Sequence, residues 1–185
     1  TGYTVKPGSA PLMITTARLR LRPFQAGDIN ATYLSWLNDP AVMRFSNQRF
    51  RTHTAESSAA YLSSFTGTPN SFLLIEQRST GRQIGTATVY RSPQHGTADI
   101  GLMVGDRQSW GHGYGREVWQ AVLEALLGEP GMRKVTGGTA RPNQAMVRIM
   151  EKCGMKLEAV RARHELIEGQ AADLLYYARF AKQSP

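Results

Sequence analysis

The segment Asp106-Arg107-Gln108-Ser109-Trp110-Gly111-His112-Gly113-Tyr114-Gly115-Arg116-Glu117 sets three glycines at alternate positions immediately before an amphipathic run. From Gly113 to Leu127 apolar residues recur at helical spacing, with Val118, Val122 and Leu126 on one stripe and Trp119 and Leu123 beside them. Gly128 and Pro130 follow in the order that ends a helix. Upstream, Thr97 to Val104 reads as a strand. A strand that feeds a helix through glycines exposes unpaired N–H groups and the positive end of the helix dipole. Glycines remove the Cβ atoms that would hold a phosphate away from those donors, so an anion site is the physical expectation. The spacing excludes two nucleotide loops. A dinucleotide fingerprint would need glycine where Arg116 or Val118 stands, and the Gly-Lys-Ser/Thr of a P-loop occurs nowhere.

Working outward, Asn143 to Cys153 is a second amphipathic helix, with Met146, Val147 and Met150 on one face and Gly154 after its end. The stretch from Arg133 to Ala140 between the two helices is a short strand. Lys156 to Ile167 and Ala171 to Ala178 read as a hairpin turning through Glu168-Gly169-Gln170. On the other side, Ser71 to Gln77, Gln83 to Tyr90 and Thr97 to Val104 form a three-strand meander. Before it, the spacing predicts helices from Asp28, with Ile29, Tyr33 and Leu37 on one stripe, and from Thr54 to about Phe65. Thr16 to Pro23 alternates as a strand, Leu19 and Leu21 opposite Arg18, Arg20 and Arg22. The expected class is α/β, in the order β-α-α-β-β-β-α-β-α-β-β. Residues 16–181 form one domain after a flexible lead-in over residues 1–15.

Composition agrees with a single domain: 185 residues, 41% hydrophobic and 19% charged, hold enough apolar material for a core. The 22 Lys and Arg exceed the 14 Asp and Glu, giving a formal charge of +8 and favouring an anionic partner. One cysteine, Cys153, excludes an internal disulfide framework. The four histidines form no pair at a metal-ligand spacing, and the run His164-Glu165-Leu166-Ile167-Glu168 ends in glutamate where a zinc helix would carry histidine, so no metal is expected. No apolar run approaches the roughly 20 residues of a membrane span, and the first eleven residues lack the apolar core of a signal peptide. A cytoplasmic location without membrane association is expected.

Trp110-Gly111-His112-Gly113-Tyr114-Gly115 resembles the [Q/R]-x-x-G-x-[G/A] hallmark of the GNAT superfamily of acyl-CoA-dependent N-acetyltransferases, with Trp110 replacing Gln or Arg. Downstream, Asn143-Gln144-Ala145-Met146 and Glu151-Lys152-Cys153-Gly154-Met155 resemble the family's N-x-x-S…E-K-x-G-F segment. The opening T-A-R-L-R-L-R-P-F and Trp36-Leu37-Asn38-Asp39-Pro40 are similar to the branch containing ribosomal-protein N-terminal acetyltransferases. The resemblance covers nearly the whole chain. It implies a mixed, mostly antiparallel sheet flanked by helices, acetyl-CoA as co-substrate without a metal, and transfer to a primary amine by direct attack in a ternary complex. The amine is a small molecule, an amino-sugar nucleotide or a protein N-terminus; a homodimer is an option.

The resemblance further implies that pyrophosphate meets the backbone of Gly111, His112, Gly113, Tyr114, Gly115 and Arg116, next to Trp110. Backbone groups of Leu102, Met103 and Val104 would pair with pantetheine amides, as a strand edge pairs with a peptide. Asn143 is a helix cap by position and a cofactor contact by resemblance. Asp99 is the candidate general base, because an amine must lose its proton before attack; Glu76 and His95 are weaker candidates. Met150 stands where family members often carry a tyrosine that protonates the departing thiolate. Tyr114, Tyr176 and Tyr177 remain open for that role. Arg44, Arg49 and Arg51, interleaved with Phe45 and Phe50, are candidate acceptor contacts, since guanidinium forks suit phosphate or carboxylate. Two other functions fit the same features: a CoA-binding sensor without turnover, and a basic nucleic-acid-binding module, although no recognisable nucleic-acid motif is present.

Overall fold

The computed structural model describes residues 11–182. The strands are β1 (Ile14–Thr15), β2 (Leu19–Pro23), β3 (Ser71–Gln77), β4 (Gln83–Ser92), β5 (Thr97–Val104), β6 (Lys134–Ala140), β7 (Lys156–Ile167) and β8 (Gln170–Phe180). The helices are α1 (Ala31–Leu37), α2 (Ala55–Ser63), α3 (Tyr114–Leu127) and α4 (Gln144–Lys152). All strands join one eight-stranded sheet in the order β1-β2-β3-β4-β5-β6-β8-β7. Every pair is antiparallel except β5 and β6. The mixed, mostly antiparallel sheet expected from the sequence is therefore present, and β8 inserts between β6 and β7.

Each sheet face is covered because alternate residues point to opposite sides. On one face, Leu19, Leu21, Ala98, Ile100 and Val135 pack under Val118, Trp119, Val122 and Leu126 of α3 and Met150 of α4. On the other, Phe24, Phe72 and Leu74 pack against Tyr33 and Trp36 of α1. Ala140, Ile167 and Ala172 form a third cluster, on which Phe45 and Leu174 pack.

Several element ends shift by a few residues from the sequence expectation, and three of the differences have a clear physical reason. Ile14 and Thr15, placed in the lead-in, pair with Leu21 and Arg20, while residues 1–10 of that lead-in lie outside the described part. The first helix begins at Ala31, capped by the Asn30 side chain, and not at Asp28. Asp28 instead closes a short 3-10 turn, its carboxylate held by Arg22 at 2.8 Å and by the Gln25 N–H. The β7–β8 hairpin turns through Glu168 and Gly169, both at positive φ, with Ile167 paired to Gln170, the geometry of a two-residue hairpin.

Candidate functional site

β5 and β6 pair only over Thr97–Asp99 and Lys134–Thr136. Beyond Asp99 the β5 edge has no partner on the β6 side, although its other edge stays paired with β4 as far as Val104. The result is a fork, with Asp99 and Thr136 at its base and the glycine loop at the far end of β5. Gly111 and Gly113 have φ of +80° and +78°, and Gly113 caps α3 from the left-handed region. The first helical bond runs from the Glu117 N–H to the Gly113 carbonyl, leaving the N–H groups of Tyr114, Gly115 and Arg116 without helical acceptors. Gly115 serves a different purpose: a Cβ there would lie 3.1 Å from Ile149 Cδ1 and 3.5 Å from Leu102 Cδ2, so glycine lets α3 settle closely on β5 and α4.

Arg18, which the sequence reading leaves as a strand residue, reaches this loop. It donates to the His112 carbonyl at 3.0 Å, pairs with Glu117 at 3.2 Å and stacks over the Tyr114 ring at 4.3 Å. No local signal could have found it, because the contact spans 94 residues. Trp110 ties the loop to β5. Its indole N–H donates to the Val104 carbonyl at 2.8 Å, so a side-chain donor is retained but committed to the end of β5.

A cavity of about 310 Å³ lies between α1, α2, the loop joining them, and the β4–β5 face. Leu37, Met43, Phe72 and Met103 give it apolar walls, and Ser58, Tyr61, Thr86 and Thr88 carry hydroxyl groups. Gly101 lines it as well; a Cβ there would lie 2.4 Å from Thr88 Oγ1, so the threonine hydroxyl occupies that space. The Tyr61 and Tyr90 hydroxyls are 2.9 Å apart, and Tyr90 is the cross-strand partner of Asp99. Burial pushes Tyr33 up to about 12, and burial followed by the Tyr90 hydrogen bond raises Tyr61 further, so both phenols remain neutral hydrogen-bonding groups at physiological pH.

Asp99 lines a second cavity of about 250 Å³ across the β5 edge, together with Phe45, Asn47, Gly138, Glu165 and Tyr176. Its Oδ1 accepts from Thr136 Oγ1 at 2.7 Å. The side chain reaches solvent, yet desolvation by the surrounding protein pushes its carboxyl above the ordinary value, against the Thr136 hydrogen bond, which lowers it.

The loop between α1 and α2 straps across to the β7–β8 hairpin. Arg44 pairs with Glu168 at 2.9 Å, Asn47 donates to Glu165 at 3.0 Å, and Arg49 donates to the Leu166 carbonyl at 2.7 Å. Asn38 closes its base by bonding the His53 N–H and carbonyl. Of the three arginines singled out, Arg51 alone lines the larger cavity, and among the described residues it takes part in no ion pair. The other expected residues separate by position. Leu102 and Met103 line the larger cavity from the β5 edge. Asn143 caps α4 through Met146 and donates to Thr139 at 3.1 Å. Glu76 is buried and clasped by Arg20 and Arg22, and the His95 carbonyl accepts from Arg133 in the turn that precedes β5. Met150 is buried in the core, Tyr177 donates to Glu151, Tyr114 accepts from Gln77, and Tyr176 lines the cavity that holds Asp99.

Among the described residues, no helix is long and apolar enough to cross a membrane. The family model for the acetyltransferase (GNAT) domain matches residues 18–156. An uncharacterised Bacillus subtilis (strain 168) protein, YkkB, is 27% identical over 150 residues, covering 80% of this chain and 87% of its own. The spermidine N-acetyltransferase of Vibrio cholerae, solved with CoA and spermine, superposes with a TM-score of 0.79 at 16% identity, over 90% of this chain and 97% of its own. The ribosomal-protein-S5-alanine acetyltransferase of Vibrio fischeri gives a TM-score of 0.74 at 14% identity, over 94% of this chain and 100% of its own. At such identities these structures speak for the fold, while the domain match speaks for descent: the chain belongs to the GNAT family of acyl-CoA-dependent N-acetyltransferases.

Proposed function

We propose that the protein transfers an acetyl group from acetyl-CoA to a primary amine by direct attack within a ternary complex, with Asp99 as general base. The observation that carries this reading is the fork between β5 and β6. It provides an unpaired strand edge with an anion-ready helix terminus at one end and a carboxylate with a raised pKa at the other.

The residues fit acetyl-CoA. The free N–H groups at the start of α3 and the Arg18 guanidinium suit a diphosphate, and the β5 edge from Ile100 to Met103, ahead of the Val104 carbonyl that Trp110 engages, suits the amides of pantetheine. When bound, the thioester supplies the electrophilic carbonyl. Asp99 takes the proton released as the amine nitrogen forms its bond to carbon, directly or through water, and desolvation raises its basicity for that step. Thr136 holds the carboxylate in position. A thiolate is a tolerable leaving group, so burial of Met150 at the usual tyrosine position does not block the reaction. No acyl-enzyme is required: Cys153 is the sole thiol, it is buried, and burial pushes it above the ordinary thiol value, away from the reactive thiolate.

The Vibrio cholerae enzyme was solved with spermine and the Vibrio fischeri enzyme is named for an alanine of ribosomal protein S5, so the fold serves chemically different amines and the acceptor has to be found by assay. The test is thiol release from acetyl-CoA over a matrix of acetyl-CoA and amine concentrations. Intersecting double-reciprocal lines are expected. Parallel lines would indicate an acetylated enzyme, and binding of acetyl-CoA without release against any amine would indicate a sensor.

A further inference from the structure

We propose that the acceptor is an amino sugar carrying a phosphate or carboxylate group, with its ring in the 310 Å³ cavity, its anion on Arg51 and its amine turned toward Asp99. This rests on the acetyl-transfer reading above and names the substrate class that the cavity selects.

Charge decides first. None of the described residues lining the cavity is an aspartate, glutamate or lysine, and Arg51 is its cationic side chain. A polyamine carries several ammonium groups that need carboxylate partners once removed from water, and this chamber offers none to its body. The carboxylates lie across the β5 edge, where Asp99 and Glu165 line the second cavity and Glu165 already accepts from Asn47. The arrangement suits one amine nitrogen near Asp99 and a neutral-to-anionic body elsewhere. Arg51 suits the anion because Arg44 and Arg49 are held by the β7–β8 hairpin, while Arg51 has no ion pair among the described residues.

Hydrogen-bonding capacity decides next. The Ser58 hydroxyl is buried, the residue being 5% exposed, and has no partner among the described residues, although Ser58 lines the cavity. Buried polar groups are normally satisfied, so an orphan at a cavity wall marks a bond that a ligand completes. Thr86, Thr88 and Tyr61 add hydroxyls, and Phe72 and Tyr33 add aromatic surface. Hydroxyls interspersed with aromatic faces match a sugar ring, which has polar edges and C–H faces.

The path to the reacting end is short. Gly101 lines this cavity and Asp99 the other, two residues apart on the same face of β5, about 7 Å along the strand. The Tyr61–Tyr90 hydroxyl pair joins the cavity wall to the residue directly opposite Asp99.

The experiment measures thiol release at saturating acetyl-CoA with glucosamine, glucosamine 1-phosphate, glucosamine 6-phosphate, glucuronic-acid-linked glucosamine, spermidine and an alanine-initiated peptide. At least one anionic amino sugar should exceed glucosamine at least tenfold in kcat/KM. The two phosphates and the carboxylate then report which anion Arg51 accepts. That advantage should vanish in Arg51→Ala, survive in part in Arg51→Lys, and leave the KM for acetyl-CoA unchanged. Ser58→Ala removes an unsatisfied buried hydroxyl, so it should not lower the melting temperature, yet it should raise the acceptor KM by about fivefold, the value of one neutral hydrogen bond. Preference for spermidine or the peptide, or equal use of charged and neutral sugars, overturns the acceptor class while acetyl transfer stands. No release with any amine, despite calorimetric binding of acetyl-CoA, overturns the acetyl-transfer reading and this inference with it.

Discussion

Gly113→Ala separates the backbone requirement of the glycine loop from its role toward an anion. Gly113 sits at φ +78° and ψ 10°, and the atom nearest to a methyl group placed on its Cα is Arg18 Nη2 at 3.7 Å, ordinary contact. The stability cost is therefore that of an alanine in the left-handed region, about 1–2 kcal/mol. For a chain of this length that is a fall in melting temperature of roughly 2–8 °C. Gly81 provides the control. It lies in the β3–β4 turn at φ +72° with nothing within 4 Å of its Cβ position, so Gly81→Ala should lose a similar amount of stability. The two variants should differ in CoA binding. The Gly113 methyl projects into the side shared by the Arg18 guanidinium and the start of α3, where an incoming diphosphate would meet both. Loss of one charge-assisted bond there is worth about 1.5–3 kcal/mol, or a tenfold to hundredfold weaker CoA dissociation constant. Calorimetric titration and thermal melts on both variants give the two readouts. Equal CoA affinity in Gly113→Ala and Gly81→Ala would refute the cradle, however much stability each loses.

Asp99→Asn should abolish most turnover with little change in CoA affinity, and Thr136→Val, which removes the bond that lowers the Asp99 pKa, should move the acid limb of the pH–rate profile upward. Because the fold raises that carboxyl, the native state holds its proton more tightly than the unfolded chain, so ionised Asp99 lowers stability above the ordinary carboxylate range; Asp99→Asn should leave the pH 7 melting temperature unchanged or higher. Asp28 behaves oppositely: burial alone would raise it, but the Arg22 pair and the Gln25 N–H outweigh burial and hold it below its ordinary value. Its stabilisation is present above the ordinary carboxylate pKa and is lost as pH falls through the folded value, so the deficit of Asp28→Asn in urea unfolding should be full at pH 7 and shrink toward pH 3. Arg91, whose side chain is 9% exposed, bonds Glu129 at 2.7 Å, the Pro69 carbonyl at 2.8 Å and Ser71 Oγ at 2.9 Å; Arg91→Ala should cost about 3 kcal/mol in denaturant unfolding without altering CoA binding.

The helices that pack on the first core were legible because each carries a long apolar stripe: Val118, Val122 and Leu126 in α3, Met146 and Met150 in α4. β1 was not, since two residues hold no period, and its pairing with Leu21 is decided by the sheet. Asp28 has the composition of a helix cap, and only the distant Arg22 side chain, brought beside it by β2, turns it to another purpose. Trp110 stands out by residue type as a departure from the family's Gln or Arg, and sequence does not show the Val104 carbonyl that receives its N–H. Likewise, three arginines in one loop look equivalent until the β7–β8 hairpin, far along the chain, is seen to occupy Arg44 and Arg49 and leave Arg51 to the cavity.

The proposed cofactor and acceptor sites differ in how far apart their parts lie in the chain, and this explains why one was readable and the other was not. The strand edge, the glycines and the start of α3 fall within residues 100–116, and their features are backbone features: an unpaired edge, positive φ, free N–H groups. Residue types alone announce such a site, because glycine is what those conformations need. The larger cavity draws on Tyr33, Ser58, Thr88 and Met103, from four elements, under a strap fastened by the distant hairpin. Its selectivity lies in which side chains are left without partners after folding, and Ser58 is one polar residue among several in α2 until its neighbours are known. A family that keeps the first kind of site and varies the second can retain one acyl donor while changing acceptors. On that view, substitutions that move the strap, such as Glu168→Ala at its Arg44 tether, should change acceptor preference before they change CoA affinity.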